Sequence, residues 1–208
     1  MLVCWSVKGG VGTSTVAAGL ALAAGARGRC LLVDLGGDQP ALFGLDPGPV
    51  PGATEWMAAA EDLPADALAR LELPLADGVA LLPRGRGALT EEGWERLAAE
   101  LGHRPEAVVV DAGAAGPDVV AAADRSLLVV RACPLALAAV AAEPTAPTGV
   151  VVVRPRARTT SRAELADAAG APVLAELDLD PAVGRAVDAG LALRPLPRSY
   201  LRALGALA

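Results

Sequence analysis

The sequence of 208 residues has few of the residue types on which several common protein classes depend. Aromatic residues make up 2% of it, asparagine and isoleucine are absent, and histidine occurs once, as His103. No Ser/His/Asp triad and no metal site can be built around that single histidine. A formal charge of −6 argues against DNA as a partner, because binding nucleic acid by bulk electrostatics needs a surplus of positive charge.

Cysteine is also scarce, and its positions form no recognisable framework. Cys4, Cys30 and Cys133 are odd in number and far apart, and no two of them are spaced as C-x-x-C. This pattern argues against a disulfide framework and is typical of buried thiols in a reducing compartment. The apolar stretches are too short, or too interrupted by charge, to span a bilayer. We therefore expect a cytoplasmic protein.

Apolar residues, at 53%, are abundant and fall into short runs that alternate with segments of helical spacing. The candidate strands are Leu2–Val7, Cys30–Val33, Val79–Leu82, Ala107–Val110, Ser126–Val130, Gly149–Val153 and Pro172–Leu177. The candidate helices are Ser14–Ala24, Thr54–Ala60, Pro64–Leu71, Thr90–Leu101, Leu135–Ala142, Ser161–Ala169 and Pro181–Ala189. Because most of the strand runs are apolar throughout, we expect parallel strands that are covered on both faces. The sequence predicts one α/β domain over residues 1–208, with a doubly wound, mostly parallel seven-stranded sheet flanked by helices.

The most informative segment lies between the first candidate strand and the first candidate helix. Its sequence is Val7-Lys8-Gly9-Gly10-Val11-Gly12-Thr13-Ser14-Thr15. The glycines let the backbone curl so that N–H groups converge, and a helix N-terminus adds positive potential, which favours a bound di- or triphosphate. Ser14 is placed to offer its hydroxyl to a phosphate-bound Mg²⁺. A glycine-rich turn with Ser and Thr caps is the alternative, but Lys8, the only lysine of the chain, favours the phosphate site.

Residues 8–15 resemble the deviant Walker A loop of the ParA/MinD family of ATPases, whose pattern is K-G-G-x-G-K-[ST]. Four later segments are similar to the family's acidic second strand, Walker B strand, next strand, and closing strand and helix: Leu31–Asp34, Val108–Asp111, Ala122–Val130 and Pro172–Gly190. The resemblance implies a P-loop fold, ATP and Mg²⁺ as cofactors, and a nucleotide-dependent homodimer.

The same resemblance implies a role for individual residues. It places Gly9, Gly10, Val11, Gly12, Thr13, Ser14, Thr15 and Arg154 at the nucleotide, and Ser14, Asp34 and Asp111 at the Mg²⁺. It gives catalytic roles to Lys8, Asp34 and Asp111, with Lys8 reaching across the dimer to the phosphates bound by the other subunit.

Three positions depart from the family pattern. Thr13 stands where the family has a second lysine, Gly36 where it has the second acid of a D-x-D motif, and Arg154 where it has an adenine-reading asparagine. Because the first two groups act on the phosphates and the attacking water, we predict a protein that binds ATP but hydrolyses it slowly or not at all. Asp38 could replace the missing acid only if the Gly36-Gly37 turn brings it back. A scaffold without nucleotide and an active partitioning ATPase are the alternatives.

The missing cysteine pairs and tyrosine cluster set aside the redox, metal-carrier and tyrosine-kinase branches of the family. Among the positioning and partitioning branches that are left, the TadZ/CpaE-like proteins tolerate degenerate nucleotide sites. We therefore expect a protein partner from a pilus localisation or secretion system. The arginine-rich run at residues 154–162 is expected to be a solvated turn. Arg198–Leu207 has one apolar helical face, which we expect to dock on the domain, with at most peripheral contact with a membrane.

Overall fold

One sheet contains the eight strands found in the described part of the chain. A computed structural model describes residues 1–46, 50–59, 63–114, 117–155, 160–190 and 196–208. The strands are β1 (Leu2–Trp5), β2 (Cys30–Asp34), β3 (Leu73–Ala76), β4 (Val79–Leu82), β5 (Ala107–Gly113), β6 (Arg125–Arg131), β7 (Gly149–Arg154) and β8 (Val173–Asp178). Their order is β3-β4-β2-β5-β1-β6-β7-β8, and all neighbours are parallel except β3 and β4. The predicted α/β fold is confirmed, with one strand more than expected.

The additional strand is β3, which lies at one edge of the sheet. Asp77 and Gly78 turn the chain from β3 into the antiparallel β4, and the φ of Gly78 is 76°, which glycine adopts without strain. Pro74 lies inside β3 and has no N–H to donate, so an edge is the position where such a strand is tolerated. An Asp-Gly turn, and not a long apolar run, marks this strand in the sequence.

The inner strands bury both of their faces, whereas the edge strand β8 alternates between buried and exposed residues. Leu2 and Cys4 of β1 belong to one apolar cluster, whereas Val3 and Trp5 belong to a second cluster on the other side of the sheet. All four residues are at most 8% exposed. Burial on two sides explains why the sequences of the inner strands are apolar throughout instead of alternating with polar residues.

Helices connect the strands and cover the sheet. Within the described residues they are α1 (Thr13–Gly25), α2 (Gln39–Leu42), α3 (Ala53–Ala58), α4 (Glu91–Gly102), α5 (Pro117–Ala121), α6 (Pro134–Ala141), α7 (Arg162–Ala169), α8 (Pro181–Asp188) and α9 (Arg198–Gly205). Thr90, Ser161 and Asp180 begin α4, α7 and α8, and each accepts a hydrogen bond from a main-chain N–H of the first turn. Such caps fix where a helix starts.

Two helix predictions need correction. The helix predicted over Pro64–Leu71 is wrong, because the chain there makes turns that end in a 3₁₀ helix over Ala69–Leu71. Its hydrogen bonds include Ala67 to Pro64, which has the shorter three-residue spacing. The helix predicted over Thr54–Ala60 is α3 and ends at Ala58, and residue 60 lies outside the described residues. Helices α2 and α5 were not predicted, because four or five residues carry little periodicity.

The parallel strands bring their carboxyl ends to one edge of the sheet. From β1 the chain first adds β2, β3 and β4 on one side of β1. After β5, it adds β6, β7 and β8 on the other side. The strand order therefore reverses beside β1, and in open α/β sheets ligands bind in the crevice at such a point. The loop from β1 to α1 lies at this crevice.

The C-terminal helix α9 packs against α1, as the sequence predicts. Its Tyr200 and Leu204, and Leu207 just beyond it, are at most 9% exposed. Arg27 fixes the end of the chain, because its Nη1 and Nη2 donate to the carbonyl oxygens of Gly205 and Ala208 at 2.7 Å each. Within the described residues, every helix is too short or too polar to cross a membrane.

Candidate functional site

The loop between β1 and α1 has the backbone of an anion cradle. Gly10 and Gly12 have φ values of 73° and 100°, in the left-handed region that favours glycine. Helix α1 begins at Thr13, and no described side chain caps its first turn. The N–H groups of that turn have no partner within the helix, and the helix dipole adds positive potential there. This arrangement binds phosphate and other anions.

The loop forms one wall of a cavity of about 790 Å³. The loop side of this phosphate cavity consists of Ser6, Gly9, Gly10, Gly12, Thr13, Ser14 and Thr15. The facing walls are Gly36, Asp38, Ala41, Leu42, Gly113, Ala114, Val187 and Asp188. The charged residues among these lining groups are the acids Asp38 and Asp188. A polyphosphate here would thus be held by main-chain N–H groups and hydroxyls, because this lining supplies no lysine or arginine.

A second cavity, of about 340 Å³, adjoins the first at the loop. The two cavities share Gly10, Gly12, Thr15 and Val187. The remaining lining of this base cavity is mainly apolar, with charged groups at its border: Val11, Arg131, Val153, Asp178, Leu179, Asp180, Pro181, Val183, Gly184 and Tyr200. A polar cradle beside an apolar slot suits a ligand that joins phosphates to a flat heterocycle.

Two buried acids lie next to the phosphate cavity. Asp34 ends β2 and Asp111 lies in β5, where the two residues are paired in register, and both are 0% exposed. Burial raises the pKa of Asp34 to about 7, although the N–H groups of Gly37 and Gln39 hydrogen-bond to its carboxylate and lower the pKa. Burial also raises the pKa of Asp111, against hydrogen bonds from Gln39 and Ser14 that lower it. Burying two ionised carboxylates destabilises the folded protein unless a cation or hydrogen-bond donors interact with them.

The groups around Asp111 fit Mg²⁺. Ser14 hydrogen-bonds to Asp111, so the hydroxyl and the carboxylate that the sequence predicts as ligands are in contact. Oxygen atoms of this kind are the ligands Mg²⁺ takes, usually one or two carboxylates with phosphate and water oxygens completing the shell. Within the described residues no group of three or more His, Cys, Asp or Glu could hold a metal, so the remaining ligands would come from phosphate and water.

Gln39, which the sequence analysis missed, joins the parts of the site. It is 0% exposed, and its main-chain N–H donates to Asp34 Oδ2 at 3.1 Å. Its Nε2 donates to Asp111 Oδ2 at 2.7 Å and to the carbonyl oxygen of Ser14 at 3.0 Å. Its Oε1 is buried and has no hydrogen-bond partner among the described residues. The signal in the sequence was that this is the only glutamine of the chain, five residues after Asp34.

Some predicted site residues are not brought together. Gly9 to Thr15 line one or both cavities, but Lys8 is exposed and lies outside both linings. Arg154 is also outside them, because its Nε donates to Glu176 Oε2 at 2.6 Å and its Nη1 to the carbonyl oxygen of Thr160 at 2.7 Å. The structure therefore gives the predicted contact of Arg154 with the nucleotide no support.

Asp38, the possible replacement for the missing acid, lies at the phosphate cavity. Gly37 has a φ of 93°, and the turn that it makes brings Asp38 into the lining of the phosphate cavity. A compensating arginine is not found in that lining: Arg84 packs near Gly37, but its Nη1 donates to the carbonyl oxygen of Leu35 at 3.0 Å. The β2–α2 turn thus contributes a carboxylate to the cavity and no positive charge.

Comparison with known proteins gives a family match and a set of similar structures. The profile of the CobQ/CobB/MinD/ParA nucleotide binding domain matches residues 2–193. A ParA family ATPase from Chlorobium tepidum TLS is 21% identical with a TM-score of 0.73, over 99% of this chain and 95% of that one. A chain of the MinC:MinD cell division protein complex of Aquifex aeolicus is 18% identical with a TM-score of 0.76, over 99% and 94%. The Cyanothece McdA(D38A)–ATP complex is 18% identical with a TM-score of 0.72, over 99% and 93%. No curated protein sequence matches the chain.

Proposed function

The chain belongs to the CobQ/CobB/MinD/ParA nucleotide-binding domain family, and from that premise we propose that it binds ATP with Mg²⁺ at the β1–α1 loop. The observation that carries the proposal is the uncapped first turn of α1, where Thr13, Ser14 and Thr15 line the phosphate cavity. Unsatisfied N–H groups at a helix N-terminus bind phosphate oxygens. The adjoining apolar base cavity supports a purine nucleotide, and a structurally similar protein, McdA(D38A), is described as an ATP complex.

Ser14, Asp34 and Asp111 are the residues proposed to hold the Mg²⁺. When bound, the ion would neutralise part of the phosphate charge. The contribution of the protein is to hold the oxygen ligands in position before the ion binds. The Ser14–Asp111 hydrogen bond and the paired positions of Asp34 and Asp111 on β2 and β5 support this assignment.

We expect hydrolysis to be slow. Thr13 replaces a lysine of the family pattern, and a charge-assisted contact with a phosphate contributes about 1.5–3 kcal/mol. Gly36 removes the carboxylate that positions the attacking water in that pattern. Asp38 is the replacement offered by the fold, since it lies at the phosphate cavity. Binding without efficient turnover is suited to a switch, in which the bound nucleotide, and not the reaction, is the signal.

The output proposed for this switch is a homodimer that recruits a protein partner. Lys8 is exposed at the entrance of the loop, where a second subunit could present phosphates to it. The similarity to a chain of a MinC:MinD complex supports a partner protein, because that neighbour is described as an assembly with MinC. Of the positioning branches, the TadZ/CpaE-like proteins of pilus localisation and secretion systems are the proposed group.

A pair of serine variants tests the nucleotide site. The free energy of unfolding is measured with and without Mg-ATP, together with phosphate release and the molar mass in solution. ATP at a hundred times its dissociation constant should stabilise the wild type by about 2.7 kcal/mol. Ser14→Ala should remove most of this gain. Ser161→Ala, which deletes the cap of α7 away from both cavities, should lower stability equally with and without ATP.

The same data distinguish the proposal from a scaffold that has lost its nucleotide. The scaffold is the second candidate because Asp38 and Asp188 are acids in the cavity that should receive phosphates. No stabilisation by millimolar Mg-ATP would establish the scaffold and refute the proposed function. Stabilisation with a shift from monomer to dimer and little phosphate release is the expected result. Rapid phosphate release would instead identify an active ATPase.

A further inference from the structure

Gln39 contacts three separate segments that meet at the site. Its main-chain N–H binds Asp34 at the end of β2, and its Nε2 binds Asp111 in β5 and the Ser14 carbonyl in α1. Two of these segments are far from Gln39 in the sequence, since Gln39 comes 25 positions after Ser14 and 72 positions before Asp111. One fully buried side chain thus holds the carboxylate and the helix turn at fixed positions relative to each other.

The other atom of the same amide is unusual, because it is buried without a partner. Gln39 Oε1 and Trp5 Nε1 are the buried side-chain polar atoms without a hydrogen bond in the described part of the chain. An unsatisfied buried acceptor costs free energy, and such an atom in a native protein calls for an explanation. A hydrated cation explains it, since water molecules bound to Mg²⁺ turn their protons outward as donors.

The geometry points to Gln39 as the positioning residue of the Mg²⁺ site. Its Nε2 holds the Asp111 carboxylate against the first turn of α1, and its buried, unpartnered Oε1 would be available to accept a hydrogen bond from a water molecule of the bound ion. This inference rests on the proposed binding of Mg-ATP but adds a residue that the loop motif does not contain. Residues that orient metal ligands in this way typically change metal affinity by about 10- to 100-fold when they are replaced.

The composition of the chain allows a direct observation of Gln39. Since the sequence contains one glutamine and no asparagine, the protein has a single side-chain carboxamide. A ¹H–¹⁵N correlation spectrum should therefore contain one side-chain NH₂ pair, which belongs to Gln39 without further assignment. On the wild type with ATP in EDTA, addition of excess Mg²⁺ should shift this pair. If the pair keeps its position while main-chain signals of the glycine-rich loop move, the inference is wrong.

Substitution supplies the second test. Gln39→Met keeps the volume and removes both polar atoms, and it leaves the main-chain N–H for Asp34. Dissociation constants of a fluorescent ATP analogue are measured in Mg²⁺ and in EDTA. Wild-type binding should be tighter in Mg²⁺, and Gln39→Met should reduce that Mg²⁺ advantage about tenfold or more. Affinity in EDTA should change less than about twofold, because the loop backbone that binds phosphate is unaltered.

A control and the remaining outcomes complete the test. Ser126→Ala deletes a buried hydrogen-bonding side chain at the amino end of β6, opposite the site, and should keep the Mg²⁺ advantage of the wild type. Parallel weakening of Gln39→Met in Mg²⁺ and in EDTA would show a general packing role and overturn the inference. An unchanged ratio would also overturn it. If the wild type binds no nucleotide, the proposed function itself fails, which is a distinguishable result. The NMR observation on the wild type decides the matter if Gln39→Met does not fold.

Discussion

Returning a lysine to position 13 tests whether the phosphate cavity lacks only positive charge. Thr13 is the first residue of α1, is 6% exposed and lines the cavity of about 790 Å³, which has room for a longer side chain. A lysine there gains a charge-assisted contact with a phosphate, of about 1.5–3 kcal/mol. Since each 1.4 kcal/mol is a factor of ten, Thr13→Lys should bind Mg-ATP about ten- to a hundredfold more tightly.

The same substitution should carry an opposite cost in the free protein. A cation at a helix N-terminus opposes the helix dipole, so unliganded Thr13→Lys should lose about 0.3–1 kcal/mol of stability. Thr13→Met is the matched control, because it adds length without charge. Affinity is measured by isothermal titration calorimetry and stability by denaturant unfolding. If Thr13→Lys binds no more tightly than Thr13→Met, the ammonium does not reach a phosphate, and the interpretation of this cavity is refuted.

Three further predictions concern stability. Hydrogen bonds from main-chain N–H groups lower the pKa of Glu55 to about 2, so its stabilisation is complete above the ordinary value of 4.5 and is lost as the pH falls toward 2. Glu55→Gln should therefore cost about 1–2 kcal/mol at pH 7 and flatten the acid-unfolding curve between pH 5 and 2. Leu204→Ala should lower the free energy of unfolding by about 2–4 kcal/mol in denaturant unfolding. The loss should be smaller in the background of Gly19→Ala, because the added Cβ would lie 2.5 Å from Leu204 Cδ1 and would fill part of the space that the leucine leaves. Gly44→Ala should cost more than about 1 kcal/mol in thermal unfolding, because its φ is 66° and its Cβ would lie 2.4 Å from the Gly190 carbonyl oxygen; an unchanged melting temperature would contradict this.

The parallel part of the sheet could be predicted from the sequence because burial on two faces leaves unbroken apolar runs. Most of the parallel strands had that signal, whereas the edge strand β8 alternates between buried and exposed residues, and β3 had polar residues around it and an internal proline. Its pairing with β4 depends on the Asp77-Gly78 turn, which is a local feature and could have been used. The wrong helix prediction at Pro64–Leu71 has a different cause. The apolar residues there have helical spacing, but the chain forms turns, because packing against other elements can override a weak local preference.

The site could be predicted as far as it follows from the ends of strands. Acids near the carboxyl ends of neighbouring parallel strands lie close together when the strands are in register, and Asp34 and Asp111 are paired in this way. Contacts between segments distant in sequence were not accessible in this way. Gln39 contacts Ser14 only because α2 folds back onto α1, and Arg154 binds Glu176 only because β8 lies beside β7. Neither contact follows from a local sequence pattern.

Comparison of Asp38 with Asp188 distinguishes electrostatic repulsion of the phosphates from a role in hydrolysis. Asp38 and Asp188 line the same cavity and carry the same charge, so each should weaken the binding of a polyphosphate by a similar amount. Asp38→Asn and Asp188→Asn should each tighten Mg-ATP binding about two- to fivefold at low salt, and this gain should shrink as salt screens the charge. The effect on turnover should differ, because only Asp38 follows the Gly36-Gly37 turn, where a water-positioning acid is expected.

Measurement of phosphate release from both variants tests that difference. Asp38→Asn should lower the residual rate by about a hundredfold or more, which is the lower end of what a positioned acid–base group contributes. Asp188→Asn, at the end of α8, should retain the wild-type rate or exceed it through tighter binding. Equal rates in the two variants would mean that Asp38 acts only as a negative charge, and that the carboxylate lost at Gly36 has no replacement in this fold. The chain would then be a nucleotide switch without a hydrolytic reset, and its return to the unbound state would depend on nucleotide dissociation alone.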